Sequence, residues 1–282
     1  MTKQSQLKIL IVAKQNKAGL HAARKLEKLL REYTEDIHFD LSTFKKARNA
    51  RGTPIKKFDG DFIITVGGDG TLLWTAQQTT KPILPVRIEG YGFLCTADFK
   101  DLIDNIKKLV NREYSVEERM RLSCTKITKG KIERYLRLRH SYPMAANEIV
   151  FARRRPSKIL TIEFTIDDTV FEFSGDGILI STPYGSSAYS ASAGGSLVDT
   201  SLDVISVVPL YPFYSKIKPF VMPANKKIIV KIRAGECAVI IDGHGGDYVT
   251  SEADFLIEKG EPLRVMSLFK SGFYERFKKK FM

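Results

Sequence analysis

The hydrophobic pattern of the chain changes its period at about Tyr114, and this change limits the possible folds. Before it, short apolar runs alternate with segments whose apolar residues recur every three or four positions, which indicates strands alternating with helices. After it, short runs rich in β-branched and aromatic residues follow one another with only turns between them. We therefore expect an α/β domain with a parallel sheet covered on both faces over residues 1–115, and an antiparallel, sandwich-like β domain over 116–267.

The same patterns predict the individual elements. In the first half they predict strands at 7–13, 37–41, 61–66 and 83–88, and helices at 20–33, 71–78 and 101–114. In the second half they predict strands at 120–127, 132–139, 148–151, 159–166, 170–173, 178–181, 204–208, 228–232, 238–241, 254–257 and 263–266. The tail carries aromatic residues at helical spacing among lysines, so we expect a short terminal helix over 271–282 that docks back on the protein, with a basic helix that touches a membrane as the alternative.

Composition and charge exclude several classes of protein. The 45 Lys and Arg against 32 Asp and Glu leave a net charge of +13, which favours anionic partners such as phosphates, nucleotides, nucleic acid or an acidic membrane, although a basic host proteome explains it equally. No apolar run approaches the ~20 residues that cross a bilayer, and no secretory signal is expected. Cys95, Cys124 and Cys237 have neither disulfide nor zinc spacing. A cytoplasmic protein is expected.

A glycine-rich turn follows the third predicted strand, with the sequence Gly67-Gly68-Asp69-Gly70-Thr71. Glycines permit positive φ and close backbone approach, so successive amides converge on a phosphate oxygen, and the following helix adds its partial positive charge. Asp69 is unexpected in such a turn unless it faces a metal or a substrate hydroxyl, although ordinary Asp-Gly turn chemistry is the alternative. The turn matches neither the Walker A motif nor the dinucleotide fingerprint.

Two further segments of the second half carry polar groups suited to a ligand. Asn147 and Glu148 precede a strand and suit a ribose diol or a carboxamide, although a plain turn is equally typical. The segment 174–195 crowds small hydroxyl residues around two tyrosines, which suits a pocket for a flat base. A flexible linker and a nucleophilic serine are the alternatives, but the segment has Tyr and Pro and lacks a G-x-S-x-G elbow.

Taken together, these three segments resemble the NAD kinases in order and approximate spacing, over nearly the whole chain. The resemblance implies the same two-part fold, with a C-terminal helix that returns to the N-terminal domain (268–282). It implies that Asp69 orients or deprotonates the attacking hydroxyl, that Gly67, Gly68, Gly70 and Thr71 surround the nucleotide phosphates, and that NAD is bound by Asn147, Glu148, Asp176, Ser187, Ala188, Tyr189 and Ser192. The chain departs from the family pattern at Tyr184, at His244 and in a shortened segment over 89–94.

The implied reaction is Mg²⁺-dependent transfer of the terminal phosphoryl group of ATP or polyphosphate to the 2′-hydroxyl of the adenosine ribose of NAD, giving NADP. The resemblance also implies self-association as a dimer or tetramer, because a neighbouring subunit can complete the NAD pocket. A lipid kinase of the diacylglycerol or sphingosine type, which shares the glycine turn, is the nearest alternative. A nucleic-acid-binding protein is suggested by net charge alone, and no membrane or nucleic-acid partner is expected.

Overall fold

The computed structural model describes residues 7–47, 51–90, 92–129, 137–249, 253–269 and 273–282. The chain divides into two compact units, of which the first comprises Met1–Arg119 with Leu263–Met282 and the second Met120–Pro262. Across the described residues, no helix is long and apolar enough to cross a membrane.

The elements of the two units differ in kind, as the change of period predicts. The first unit contains β1 (Ile9–Ala13), α1 (Lys17–Leu30), β2 (Ile37–Asp40), α2 (Leu41–Ala47), β3 (Arg51–Thr53), β4 (Phe62–Gly67), α3 (Asp69–Ala76), β5 (Ile83–Arg87), β6 (Ala97–Asp98), α4 (Phe99–Asp104) and α5 (Ile106–Val110). The second contains β7 (Ser115–Lys129, beginning in the first unit), β8 (Arg137–Ser141), β9 (Glu148–Arg153), β10 (Leu160–Ile166), β11 (Thr169–Gly175), β12 (Gly177–Ser181), α6 (Tyr189–Ser192), β13 (Val204–Leu210), β14 (Phe220–Pro223), β15 (Ile228–Ala234), β16 (Cys237–Ile241), β17 (His244–Val249) and most of β18 (Ala253–Ser267). Helix α7 (Phe273–Phe281) belongs to the first unit.

The sheet of the first unit is parallel and buried on both faces, which confirms the expected α/β architecture. Its strands follow the order β3-β2-β1-β4-β5, and β5 also pairs in parallel with β6 and with Val265 of β18. All five residues of β1 are buried. Ile9 and Ile11 pack in one core with Leu26 of α1, whereas α3 contacts β4 and β5. The carboxyl ends of β4 and β5, where open α/β sheets bind ligands, therefore lie side by side.

The second unit is an antiparallel sandwich. One sheet has the order β14-β13-β12-β9-β16-β17, and a second antiparallel set runs β11-β10-β15-β18. Alternate residues of each strand face the shared core, in which Phe151 of β9 lies 4.9 Å from Phe255 of β18, measured between ring centroids. Because register alternates with period two, Val150 lies on the opposite face from Phe151, in a smaller cluster with Leu179 and Val208.

Several element boundaries differ from the sequence prediction. The helix expected over 101–114 is interrupted at Asn105, whose φ of −120° is not helical and whose N–H bonds to the carbonyls of both Asp101 and Leu102. The strands expected at 254–257 and 263–266 form one strand, β18, and the hydroxyl of Ser123 in β7 donates to the carbonyl of Glu258 within it (3.3 Å). Six short elements, α2, β3, β6, α6, β14 and β17, were not predicted. The first part of the strand expected at 132–139 lies outside the described residues.

Helix α7 returns to the first unit, as the resemblance implies. The ring of Phe273, its first residue, lies edge-on to the ring of Phe93, with centroids 6.4 Å apart and planes at 88°. A Thr96 hydroxyl also donates to the carbonyl of Met266, at 2.7 Å. The C-terminal segment is therefore fastened to the loop between β5 and β6.

Candidate functional site

The glycine turn is a direct junction between β4 and α3. Strand β4 ends at Gly67, Gly68 caps the helix with extended backbone, and α3 begins at Asp69, two residues earlier than predicted. The carbonyl of Gly68 accepts from the amides of Thr71 (3.0 Å) and Leu72 (3.3 Å). Asp69 therefore lies in the first helical turn, where a negative charge is favoured by the helix dipole.

None of the three glycines of the junction, Gly67, Gly68 and Gly70, has a positive φ, so their role here is to leave space. A Cβ on Gly67 would lie 2.3 Å from the hydroxyl of Thr71, whereas a Cβ on Gly68 or Gly70 would meet nothing within 4 Å. The first amides of a helix have no partner within the helix. The start of α3 therefore presents an open surface with the N–H groups and partial charge that suit a phosphate.

The carboxylate of Asp69 is held by the main chain of the β5–β6 loop. Its two oxygens accept from the amides of Phe93 (2.9 Å) and Leu94 (3.0 Å), and the side chain is half-buried. The Cys95 thiol donates at 3.7 Å, and burial, together with the charge of Asp69, raises the pKa of that thiol. A carboxylate has about four lone-pair positions, so Asp69 retains capacity to accept from a substrate hydroxyl.

A cation lies beside this carboxylate that sequence reasoning missed. Arg87 ends β5 and forms a bidentate ion pair with Asp98, at 2.5 and 2.7 Å, which raises the pKa of the guanidinium. Atoms of Arg87 and Asp69 both lie within 3.4 Å of the ideal Cβ position of Gly92. A cleft of about 500 Å³ opens at this point, lined by Arg87, Ile88, Glu89, Gly90, Asp98, Phe99 and Lys100. The sequence signal that could have revealed Arg87 was its place at the end of a predicted parallel strand.

In the second unit, Asp242 organises the backbone of the Asn147–Glu148 segment. Its carboxylate accepts from the amides of Ala146 (2.8 Å), Asn147 (2.7 Å) and Glu148 (3.1 Å). Asp242 adopts a φ of +50° and is buried. In the sequence, the turn 242–244 stood out only as a departure from the family pattern. The three amides that Asp242 binds are about 95 positions away, so no local sequence pattern reveals this role.

Asn147 and Glu148 present buried polar atoms without partners among the described residues. These atoms are Oδ1 of Asn147 and Oε2 of Glu148. The two residues are only 4% and 5% exposed. Burial, and then the charge of Asp242, raises the pKa of Glu148 to about 8. Burial also raises the pKa of Asp242, against the three amide donors that lower it. Since a buried polar atom is normally hydrogen-bonded, the pair is prepared for a polar ligand.

The structure brings this pair together with the middle of the hydroxyl-rich segment. The amide of Thr182 donates to the carbonyl of Asn147 (2.9 Å), and its hydroxyl donates to the carbonyl of Ala146 (2.6 Å). A Cβ on Gly185 would lie 2.2 Å from the carbonyl oxygen of Asn147, so glycine is needed for this close approach. Tyr184, the bulky departure from the family pattern, is itself buried.

The other predicted binding residues of the segment differ in exposure. Ser187 is buried and Ala188 is half-buried, whereas Tyr189 and Ser192 are exposed. The structure does not bring Asp176 to the Asn147–Glu148 pair. Asp176 precedes the first residue of β12, whereas Glu148 pairs with the last, Ser181. The two are therefore roughly 16 Å apart along the strand, at about 3.3 Å per residue. Asp176 forms an ion pair with Arg153 at 3.0 Å.

The described residues contain no group of three or more His, Cys, Asp or Glu side chains placed to hold a metal ion. In the first unit, the carboxylates nearest the junction already bind protein groups, Asp69 the loop amides and Asp98 the guanidinium of Arg87. A divalent cation at this junction would therefore take most of its oxygen ligands from phosphates and water, as Mg²⁺ commonly does.

Comparisons with known proteins cover both units. Residues 9–114 match the ATP-NAD kinase N-terminal domain family, and residues 146–264 match the ATP-NAD kinase C-terminal domain family. An NAD kinase of Clostridium perfringens is 37% identical over 228 residues, covering 78% of this chain and 79% of that protein. The crystal structure of an NAD kinase from Archaeoglobus fulgidus in complex with ATP has 25% identity and a TM-score of 0.73, covering 98% and 97% of the two chains. Yeast NADH kinase complexed with NADH is similar in fold, with a TM-score of 0.86 at 19% identity over 99% and 88%.

Proposed function

Since the chain belongs to the NAD kinase family and is a phosphotransferase, we propose that it transfers the terminal phosphoryl group of ATP or polyphosphate to the 2′-hydroxyl of the adenosine ribose of NAD, giving NADP. The observation that carries the proposal is the half-buried Asp69 carboxylate, fixed by two loop amides at the open start of α3. The lipid-kinase alternative rests on the glycine turn alone, whereas the family match over 146–264 covers the second unit.

Asp69 is the proposed catalytic residue. Phosphoryl transfer depends on in-line positioning and charge neutralisation more than on covalent participation. Asp69 orients the ribose hydroxyl and accepts its proton late, when bonding to phosphorus has made that oxygen acidic. Because the loop amides fix both carboxylate oxygens, the acceptor atom needs no rearrangement when the hydroxyl arrives.

The donor phosphates bind at the β4–α3 junction. Gly68 and Gly70 leave the surface open, Gly67 fits against Thr71, and the first amides of α3 point at the anion. A Mg²⁺ ion held by the donor phosphates would neutralise part of the charge that develops on the transferred group. The guanidinium of Arg87 supplies a fixed positive charge on the same side of the junction.

The dinucleotide binds to the second unit. Oδ1 of Asn147 and Oε2 of Glu148 supply the unpartnered polar atoms, and Ser187, Ala188, Tyr189 and Ser192 supply the surface for the base and nicotinamide. Polar atoms that are buried without partners gain most from a ligand that pairs with them, which favours a sugar diol or an amide.

We assign Asp176 to the site of a neighbouring copy. It lies at the other end of β12 from Glu148, next to an exposed aromatic loop in which Tyr211 and Tyr214 are 81% and 96% exposed. The Phe213 amide donates to the carbonyl of Ser174 at 2.7 Å, which places this loop beside Asp176. Exposed aromatic rings of this size are typical of protein–protein contacts, so self-association is the proposed state.

The Asp69→Asn variant tests the catalytic assignment. Purified protein is incubated with NAD, Mg²⁺ and ATP or polyphosphate, and NADP is assayed, while NAD binding is measured by calorimetry. The expected result is native NAD affinity with a loss of turnover on the order of a hundredfold or more, because the hydroxyl loses its proton acceptor. Native turnover in folded Asp69→Asn protein would remove this residue from catalysis.

A further inference from the structure

The two shortest contacts between the β5–β6 loop and the carboxylate of Asp69 are made by main-chain amides of the loop. The amide of Phe93 donates to Oδ2 and the amide of Leu94 to Oδ1. The position of the carboxylate therefore depends on the backbone conformation of this loop. The side chains of Phe93 and Leu94 are buried, at 7% and 4% exposure, so packing fixes that conformation.

The C-terminal segment of the chain supplies part of that packing. The ring of Phe273 lies edge-on to the ring of Phe93 at a centroid distance of 6.4 Å, a favoured geometry for aromatic pairs. Three residues after Phe93, the hydroxyl of Thr96 donates to the carbonyl of Met266 across 170 positions of sequence. The loop that binds Asp69 is thus held at Phe93 by a residue of α7 and at Thr96 by a residue near the end of β18.

We propose that Phe273, at the start of α7, is a positioning residue for Asp69, acting through the ring and amide of Phe93. The inference rests on the proposed function of Asp69. Removal of the Phe273 ring leaves one side of Phe93 unsupported, which loosens the amide that fixes Oδ2. A displacement of about 1 Å at a reacting group lowers rates by roughly a hundredfold, so a partial loosening is expected to lower kcat by about tenfold.

The test compares Phe273→Ala, Phe273→Leu and Phe273→Tyr with the wild-type protein in steady-state kinetics. Phe273→Ala and Phe273→Leu are expected to lower kcat about tenfold with the KM for NAD and for ATP within about twofold. Phe273→Tyr, which keeps the ring, is expected to restore kcat. Lys278→Ala is the control, since Lys278 lies in the same helix and is exposed.

Amide hydrogen exchange of the segment 92–96 provides a readout that does not depend on activity. Phe273→Ala is expected to speed exchange there, and Lys278→Ala is expected to leave it unchanged. If Phe273→Ala does not fold, Phe273→Leu carries both measurements, because leucine removes the ring but keeps an apolar side chain at this position. Native kcat in a folded ring-less variant, a rise in KM alone, or unchanged exchange would overturn the proposal. A wild-type protein that forms no NADP with any donor would instead overturn the proposed function and leave the exchange result to decide whether Phe273 holds the loop.

Discussion

Glu148 and Asp242 are two buried carboxyl groups with unequal partners. Asp242 accepts three backbone amides, whereas Oε2 of Glu148 has no partner among the described residues. Hydrogen bonds to a carboxylate favour its charged form, and burial without them favours the neutral acid. Glu148 is therefore the member of the pair that retains its proton near neutral pH, with its pKa raised to about 8 by burial and by Asp242.

This asymmetry predicts that NAD affinity falls as pH rises through about 8. If the neutral acid donates to the ligand, affinity at pH 9 is about tenfold below that at pH 6, because only about a tenth of Glu148 remains protonated. Glu148→Gln, which mimics the neutral acid, is expected to keep the affinity of pH 6 and to lose the pH dependence. Titration calorimetry in buffers of different ionisation enthalpy measures both affinity and proton uptake. A tenfold weaker Glu148→Gln at pH 6 would mean that the carboxylate is the binding form.

The same raised pKa has a consequence for folding with a definite sign. A carboxyl whose pKa is higher in the folded than in the unfolded state binds more protons when folded, so its contribution to stability is lost as pH rises from about 4.5 towards 8. Glu148→Gln removes this dependence. The free energy of unfolding of the variant is expected to fall less steeply than that of the wild type over this pH range.

The site residues predicted from sequence are those whose signal is local. Asp69 is flanked by glycines after a strand, and Asn147 with Glu148 opens another strand, so their neighbours in sequence reveal them. Arg87 and Asp242 were missed because their importance depends on partners distant in sequence or on a backbone conformation. Asp242 in particular contacts amides about 95 positions away, which no local pattern records.

At the scale of elements, the β4–α3 junction combines a packed glycine with an open one. Gly67→Ala places a methyl group 2.3 Å from the Thr71 hydroxyl and is expected to lower the free energy of unfolding by about 1–3 kcal/mol. Gly68→Ala meets nothing within 4 Å and has a permitted φ of −137°, so it is expected to cost about 1 kcal/mol or less.

Gly67→Ala is expected to affect mainly stability, whereas Gly68→Ala is expected to affect mainly function. Gly68→Ala fills the space proposed for donor phosphate, so the KM for ATP is expected to rise about tenfold or more in a protein that folds normally. Denaturant unfolding and ATP-dependent kinetics measure the two effects. A native KM for ATP in Gly68→Ala would show that donor phosphates do not approach this residue.

The elements themselves were predictable where periodicity was long and uninterrupted. Helix α1 and the strands of the sandwich followed from apolar spacing, because tertiary burial acts on the faces that the spacing defines. The break at Asn105 and the continuity of β18 across Gly260 and Pro262 were not predictable. Arg121 donates to the carbonyls of Glu261 and Pro262, and this long-range support overrides the local turn signal.

At the scale of the whole molecule, the division into an α/β unit and a β sandwich follows from the change of period near Tyr114. The net charge of +13 did not distinguish nucleotides from nucleic acid, because a long-range field attracts any polyanion. The ligand class follows only from the short-range chemistry of the junction and of the Asn147–Glu148 pair. Fold was thus predictable from periodicity, and function only from motifs.

The assignment of Asp176 to a neighbouring copy predicts complementation between two impaired variants. Asp69→Asn and Asp176→Asn are each expected to have low turnover. When the two are mixed under conditions that exchange subunits, some sites receive Asp69 from one copy and Asp176 from the other, and NADP formation is expected to recover to about a quarter of the wild-type rate for random pairing into dimers. Light scattering measures the oligomeric state. No recovery in a mixture that forms hetero-oligomers would place both residues in the site of a single chain.

The thiol beside Asp69 bears on how the purified enzyme should be handled. Burial raises the pKa of Cys95, and it raises those of Cys124 and Cys237 to about 12, so the reactive thiolate is scarce at neutral pH for all three cysteines. We expect the native enzyme to keep its activity through storage in air without reductant and through brief exposure to iodoacetamide. Titration with a thiol reagent is expected to detect all three thiols only after denaturation. Rapid inactivation that ATP prevents would mean that Cys95 is more acidic and more accessible than its surroundings imply.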